Sequence, residues 1–177
     1  MKRILLALLL AALTLSSAAF AASEQAASEP VRSLDIADGA FDRAQLIQIA
    51  IDNQVNSYAP YSQYNVSAAV LMDSGVVYTG VNVENASYPA GICAERNAII
   101  HAVNCGEHTI VAIAIVGGPN HEIHDYCAPC GICRQVMREF CDPANMRVIF
   151  ARSPSDYKEM SLEELLPESF GPDALEK

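Results

Sequence analysis

Positive charge is scarce in this chain. Its 177 residues carry 11 Lys and Arg against 21 Asp and Glu, a formal net charge of -10. A protein that tracks a phosphate backbone needs the opposite sign, so a nucleic-acid polymer is excluded as a partner and a small neutral molecule suits the surface better. Long apolar runs are scarce too. The strongest covers residues 4–15, short against the roughly 20 residues of a membrane helix, so no stable membrane anchor is expected. No cysteine precedes Cys93, which excludes lipid attachment at a mature N-terminal cysteine. Internal repeats are missing, and the length fits one domain able to bury its own core.

The N-terminal segment carries an export pattern. Lys2 and Arg3 precede the apolar run, which only Thr14 breaks, and Ala19-Phe20-Ala21 supplies the small-x-small sequence that signal peptidase reads. Residues 1–21 are therefore expected to be a signal peptide cleaved near Ala21, placing the mature protein in the periplasm or outside the cell. Cleavage removes two positive charges and leaves about -12. Residues 22–38, small and polar over 23–30, are expected to form a disordered linker, with residues 39–177 as the folded domain.

Apolar spacing through Phe41, Leu46, Ile49, Ala50 and Val55 predicts a helix over residues 41–58, ended by Ala59-Pro60. Residues 66–72 and 76–83 read as strands joined by a hairpin at Asp73-Ser74-Gly75. Residues 93–104 read as a helix with Gly106 near its end, 110–116 as a strand buried on both faces, and 117–120 (Gly-Gly-Pro-Asn) as a loop. A third helix over 131–140, a strand over 147–151 and a short helix starting at Ser161 complete the order α-β-β-α-β-α-β-α. That order predicts a mixed sheet with helices packed on its faces.

Six cysteines in an exported chain would ordinarily suggest disulfides. Two local patterns argue otherwise for three of them: Cys93-Ala94-Glu95-Arg96 and Pro129-Cys130-Gly131-Ile132-Cys133. Two thiols three positions apart lie on one face of a helical turn and can reach one zinc. A redox dithiol has the same spacing but needs neither a third cysteine nor a glutamate. Cys93 makes three thiolates, and three protein ligands with an open position mark a catalytic zinc site. Cys127, His121 and His124 are available as a fourth ligand for a closed, structural site. Otherwise Cys127, Cys105 and Cys141 read as small buried hydrophobes. Glu95, two residues after Cys93, can face a zinc-activated water and move its protons; without the cysteines it would read as an ordinary acid in a first helical turn. Three thiolates on one Zn²⁺ leave a formal charge of -1. Two helix N-termini, at Cys93 and Cys130, would offset it, as would Arg96 donating to a sulfur.

These residues resemble the small homotetrameric zinc-dependent cytidine deaminases, whose zinc–Glu–Pro-Cys-x-x-Cys arrangement is a known pattern with a three-cysteine variant. Tyr58-Ala59-Pro60-Tyr61-Ser62, residues 82–88 and Leu165-Leu166-Pro167 with Phe170-Gly171-Pro172 extend the likeness over residues 41–175. The resemblance implies a three-layer α/β/α fold with a mixed central sheet, and hydrolytic deamination of cytidine and deoxycytidine to uridine and deoxyuridine with release of ammonia. It gives Cys93, Cys130 and Cys133 to Zn²⁺ and proton transfer to Glu95. Asn82 and Glu84 would bind the ribose hydroxyls, Tyr64 would stack on the pyrimidine, and Phe170 would come from a neighbouring subunit of a homotetramer. Arg96 is expected to support the sulfurs. The chain departs from the pattern in having Tyr64 for Phe, Ser67 for Gly and Asn97 for Thr, which bears on substrate preference. Two alternatives stand beside this reading: a deaminase of a modified nucleoside or free base, and a non-catalytic secreted protein that binds nucleoside or zinc.

Overall fold

A computed structural model describes residues 32–37 and 40–175; the expected signal peptide at residues 1–21 lies outside the described residues. Among the described residues no helix is long and apolar enough to cross a membrane.

Strand β1 (Arg32–Ser33) pairs antiparallel with Val77 and Val76, and Leu34 beside it is buried. This corrects the expected linker over 22–38: residues 32–37 belong to the folded unit. Two polar strand residues followed by one buried leucine give no apolar run to recognise. Helix α1 (Arg43–Asn53) starts where the Asp42 side chain accepts the Gln45 N–H, and it buries Leu46, Ile47, Ile49 and Ala50. It ends in a single 3₁₀ turn at Gln54–Asn56, earlier than residue 58.

Strands β2 (Tyr64–Met72) and β3 (Val76–Val81) form the expected hairpin. Gly75 takes φ +85° in its turn, a left-handed conformation that suits glycine. Helix α2 (Ala94–Asn104) and helix α3 (Gly131–Glu139) flank β4 (Ile110–Pro119) in sequence, and β5 (Arg147–Ser153) and β6 (Asp156–Ser161) follow. A capping box between Ser161 and Glu164 opens the short helix α4 (Leu162–Leu165).

The sheet order is β1-β3-β2-β4-β5-β6, with β4 and β5 the parallel pair. Alternation along the inner strands sorts their side chains into two layers. Ala69, Leu71, Ala112, Ala114 and Val116 pack with α1. Ala68, Val70, Ile113 and Ile115 pack with Ala98 and Ile99 of α2 and Met137 of α3. The result is the expected three-layer α/β/α arrangement on a mixed sheet.

Residues 117–119, read as a loop, are strand: Val66 pairs with Gly117, Asn65 with Gly118 and Tyr64 with Pro119. The glycines admit neighbours. A Cβ at Gly117 would meet the Cys127 Sγ at 2.9 Å, and one at Gly118 would overlap the Glu122 carbonyl. Both β3 and β4 run antiparallel to β2, so they point the same way. The helices that follow them both begin at one end of the sheet, which is where the two cysteine motifs lie.

Candidate active site

Cys93 is the N-cap of α2 and Cys130 the N-cap of α3, each extended and without a side-chain capping bond. The free N–H groups of both first turns therefore face the end of the sheet where the sulfurs gather, and their dipoles favour thiolate. Cys133 sits one turn into α3 and is fully buried. The three sulfurs lie within 4.8 Å of one another, with Cys93 to Cys130 at 4.0 Å and Cys130 to Cys133 at 3.3 Å. Tetrahedral thiolates at the usual zinc–sulfur distance lie about 3.8 Å apart, so the group fits zinc. Among the described residues no fourth protein ligand joins it. Cys127 lines the cavity but stays outside the sulfur group, and His124 pairs with Glu122.

Hydrogen bonding within the sulfur group, first with Cys133 and then with Arg96, holds the Cys93 thiol down at about 5, while Cys133 is pushed up by the same sharing. Arg96 donates from Nη2 to the Cys93 sulfur at 3.8 Å, and its Nε is buried with no partner among the described residues. Glu95 occupies the second position of α2 and is 4% exposed. Burial raises its pKa, with the Cys93 charge adding to the rise. An acid that retains protons more readily than usual is suited to taking them up and giving them back.

Cys93, Cys130, Glu95 and Arg96 line a cavity of about 680 Å³ whose wall also includes Tyr64, Asn82 and Glu84. Glu84 Oε2 accepts the Tyr61 N–H at 2.9 Å and the Ser62 N–H at 3.2 Å. The Ser62 hydroxyl and these amides hold its pKa below the ordinary value, so it stays ionised. Tyr64 is raised by burial and by its neighbour Cys127, a thiol itself pushed up to about 11 mainly by burial.

Phe170 does not line this cavity. It is 63% exposed, and its carbonyl accepts from Gln135 on α3. Ser67 and Asn97 do not line it either. Ser67 accepts from Asn53, and Asn97 donates to the Val81 carbonyl. Both side chains thus bond to neighbouring strands or helix and stand outside the cavity wall. Tyr61 and Tyr88 do line the cavity, with ring centroids 6.2 Å apart. Both stood inside recognised motifs, but only the folded chain brings them together.

The family profile described as "Cytidine and deoxycytidylate deaminase zinc-binding region" matches residues 42–151. A cytidine deaminase of Halalkalibacterium halodurans is 43% identical over 129 residues, covering 73% of this chain and 94% of that protein. One from Sporosarcina psychrophila is 36% identical, covering 76% and 95%. The crystal structure of cytidine deaminase from Burkholderia pseudomallei superposes with a TM-score of 0.64 at 41% identity, covering 71% of this chain and 97% of that one.

Proposed function

This chain belongs to the cytidine and deoxycytidylate deaminase family, and from that premise we propose that it converts cytidine and deoxycytidine to uridine and deoxyuridine, releasing ammonia. One observation carries the reading: three sulfurs with no fourth protein ligand among the described residues, beside a buried glutamate on the wall of a cavity large enough for a nucleoside.

Zinc held by Cys93, Cys130 and Cys133 would supply the positive charge that lets water ionise near neutral pH. Glu95 takes a proton from the attacking water, which adds to C4 of the base, and delivers that proton to N3. A second transfer through Glu95 protonates the departing amine. The carboxylate is kept from bulk water by the fold, so each proton stays at the reacting atoms. Glu84 accepts a hydrogen bond from a sugar hydroxyl, Asn82 donates to a sugar oxygen, and Tyr64 offers its ring to the pyrimidine.

The same reading takes the protein as a homotetramer in which Phe170 of one subunit meets the cavity of another. Its exposure away from its own cavity supports this. Export after cleavage near Ala21 rests on the basic, apolar and small-residue order of residues 1–21. The decisive experiment follows the fall in ultraviolet absorbance of cytidine with zinc-loaded mature protein. Steady turnover with stoichiometric ammonia is expected; tight nucleoside binding without turnover would overturn the enzyme reading. Light scattering tests the tetramer, and N-terminal sequencing of exported protein tests the cleavage.

A further inference from the structure

A chain of hydrogen bonds runs from the end of β4 to the amide that faces the substrate cavity. Asn120 and His121 take φ of 52° and 65°, and Gln63, joined to Asn120 by a backbone hydrogen bond of 2.9 Å, takes 56°. Non-glycine residues held in this region cost energy and persist only where their surroundings fix them. Here the turn delivers the His121 N–H to Asn65 Oδ1 at 3.2 Å. A backbone N–H can only donate, so Asn65 Oδ1 accepts and Nδ2 is the donor. Asn65 Nδ2 gives to Ser57 Oγ at 3.0 Å, and the Ser57 hydroxyl gives to Asn82 Oδ1 at 2.6 Å.

The other end is fixed as firmly. Val66 N–H donates to Asn82 Oδ1 at 2.8 Å, and Asn82 Nδ2 donates to the Tyr64 carbonyl at 2.9 Å. Backbone groups at both ends thus determine the direction of every hydrogen bond between them. Asn82 Oδ1 is fully used, and one N–H is the only polar hydrogen that Asn82 retains for a ligand. Ser57 and Asn65 line a second cavity of about 360 Å³, and Asn82 lines the first.

We propose that Ser57 and Asn65 are positioning residues, which hold Asn82 so that it presents a donor and no acceptor to the sugar. The proposal rests on the reading that the sugar sits at Asn82 and Glu84. Glu84 then supplies the matching acceptor, and a hydroxyl that both accepts and donates satisfies the pair.

The test measures kcat and KM for cytidine and for 2′,3′-dideoxycytidine, which lacks both ring hydroxyls. Ser57→Ala should raise KM for cytidine about three- to tenfold, the worth of one neutral hydrogen bond, with kcat within about twofold. KM for the dideoxy compound should not change, and Ser57→Thr should restore the cytidine value. Asn65→Asp still accepts from His121, but its second oxygen cannot donate and draws the Ser57 hydroxyl away from Asn82; it should reproduce the Ser57→Ala effect. An unchanged cytidine KM, or an equal rise for both compounds, overturns the proposal. If the wild-type protein turns over neither compound, the functional reading fails and NMR of the Asn82 side-chain amide decides this one. Faster amide exchange in Ser57→Ala supports it, and an unchanged signal overturns it.

Discussion

Gly80 of β3 lies directly under Ala98 of α2: a Cβ on Gly80 would press into the Ala98 backbone nitrogen and come within 2.6 Å of the Ala94 carbonyl. Helix α2 carries Glu95 and begins at Cys93, so this contact sets how far both stand from the sheet. Gly80→Ala is expected to destabilise the protein by about 1–3 kcal/mol, as overpacking does, and to lower turnover together with zinc content. Thermal unfolding and metal analysis of the same preparation check it; a wild-type melting temperature would show that the helix yields without cost.

Glu95→Gln preserves the volume of a buried side chain and removes the proton transfer proposed for it. Turnover should fall by about 10²–10⁴ while zinc content stays near one per chain. Steady-state kinetics alongside metal analysis make the comparison, and near-normal turnover would deny Glu95 its role.

Arg96 supports Cys93 through a donor rather than through packing alone. Arg96→Ala should weaken zinc retention about 10- to 100-fold in competition with a chromogenic chelator. Identical retention in variant and wild type would leave the contact without consequence.

Glu84 supplies a pH-dependent contribution. Its folded pKa lies below the ordinary value of 4.5, first because of the Ser62 hydroxyl and then because of the Tyr61 amide. The unfolded state therefore binds the proton more readily. The stability owed to Glu84 is fully present above pH 4.5 and is lost as pH falls through the lower folded value. The melting-temperature gap between wild type and Glu84→Gln should be open at about pH 6 to 7 and should close in strong acid.

Metal removal should expose a redox liability. Cys130 and Cys133 hold their sulfurs 3.3 Å apart. In chelated protein treated with diamide, the two thiols should lose two electrons and two protons to the oxidant and form a disulfide. Zinc alone should then fail to restore activity, and zinc with a thiol reductant should succeed. Full recovery without reductant would count against pairing.

The site was more legible in the sequence than the fold around it. Metal and acid–base chemistry demand particular residue types at short spacings, and helix N-caps hold Cys93, Glu95, Cys130 and Cys133 within local motifs. Strand β6 gave no such signal: its DYKEMS segment is mostly polar and only partly covered, so no apolar alternation marks it. Gly117 and Gly118 looked like a turn because local chemistry favours one there. Their real use, admitting residues 122–127 against β4, depends on chain that arrives later. The Ser57–Asn65–Asn82 chain was invisible for a related reason, since it joins a segment after α1, strand β2, the residue just past β3 and a turn after β4. Phe170 lies away from the cavity of its own chain, so its expected place rests on assembly.

Strand β4 lies between β2 and β5, and the three clustered sulfurs proposed to hold zinc come from opposite sides of it in sequence, Cys93 before and Cys130 and Cys133 after. The metal therefore cannot be captured by any fragment that ends before β4. A chain stalled with this strand unpaired would offer two sulfurs from one helix end and leave the third stranded. Metal uptake is therefore expected to follow the pairing of β4, and the rate of zinc capture during refolding, set beside the rate at which the sheet forms, checks that order.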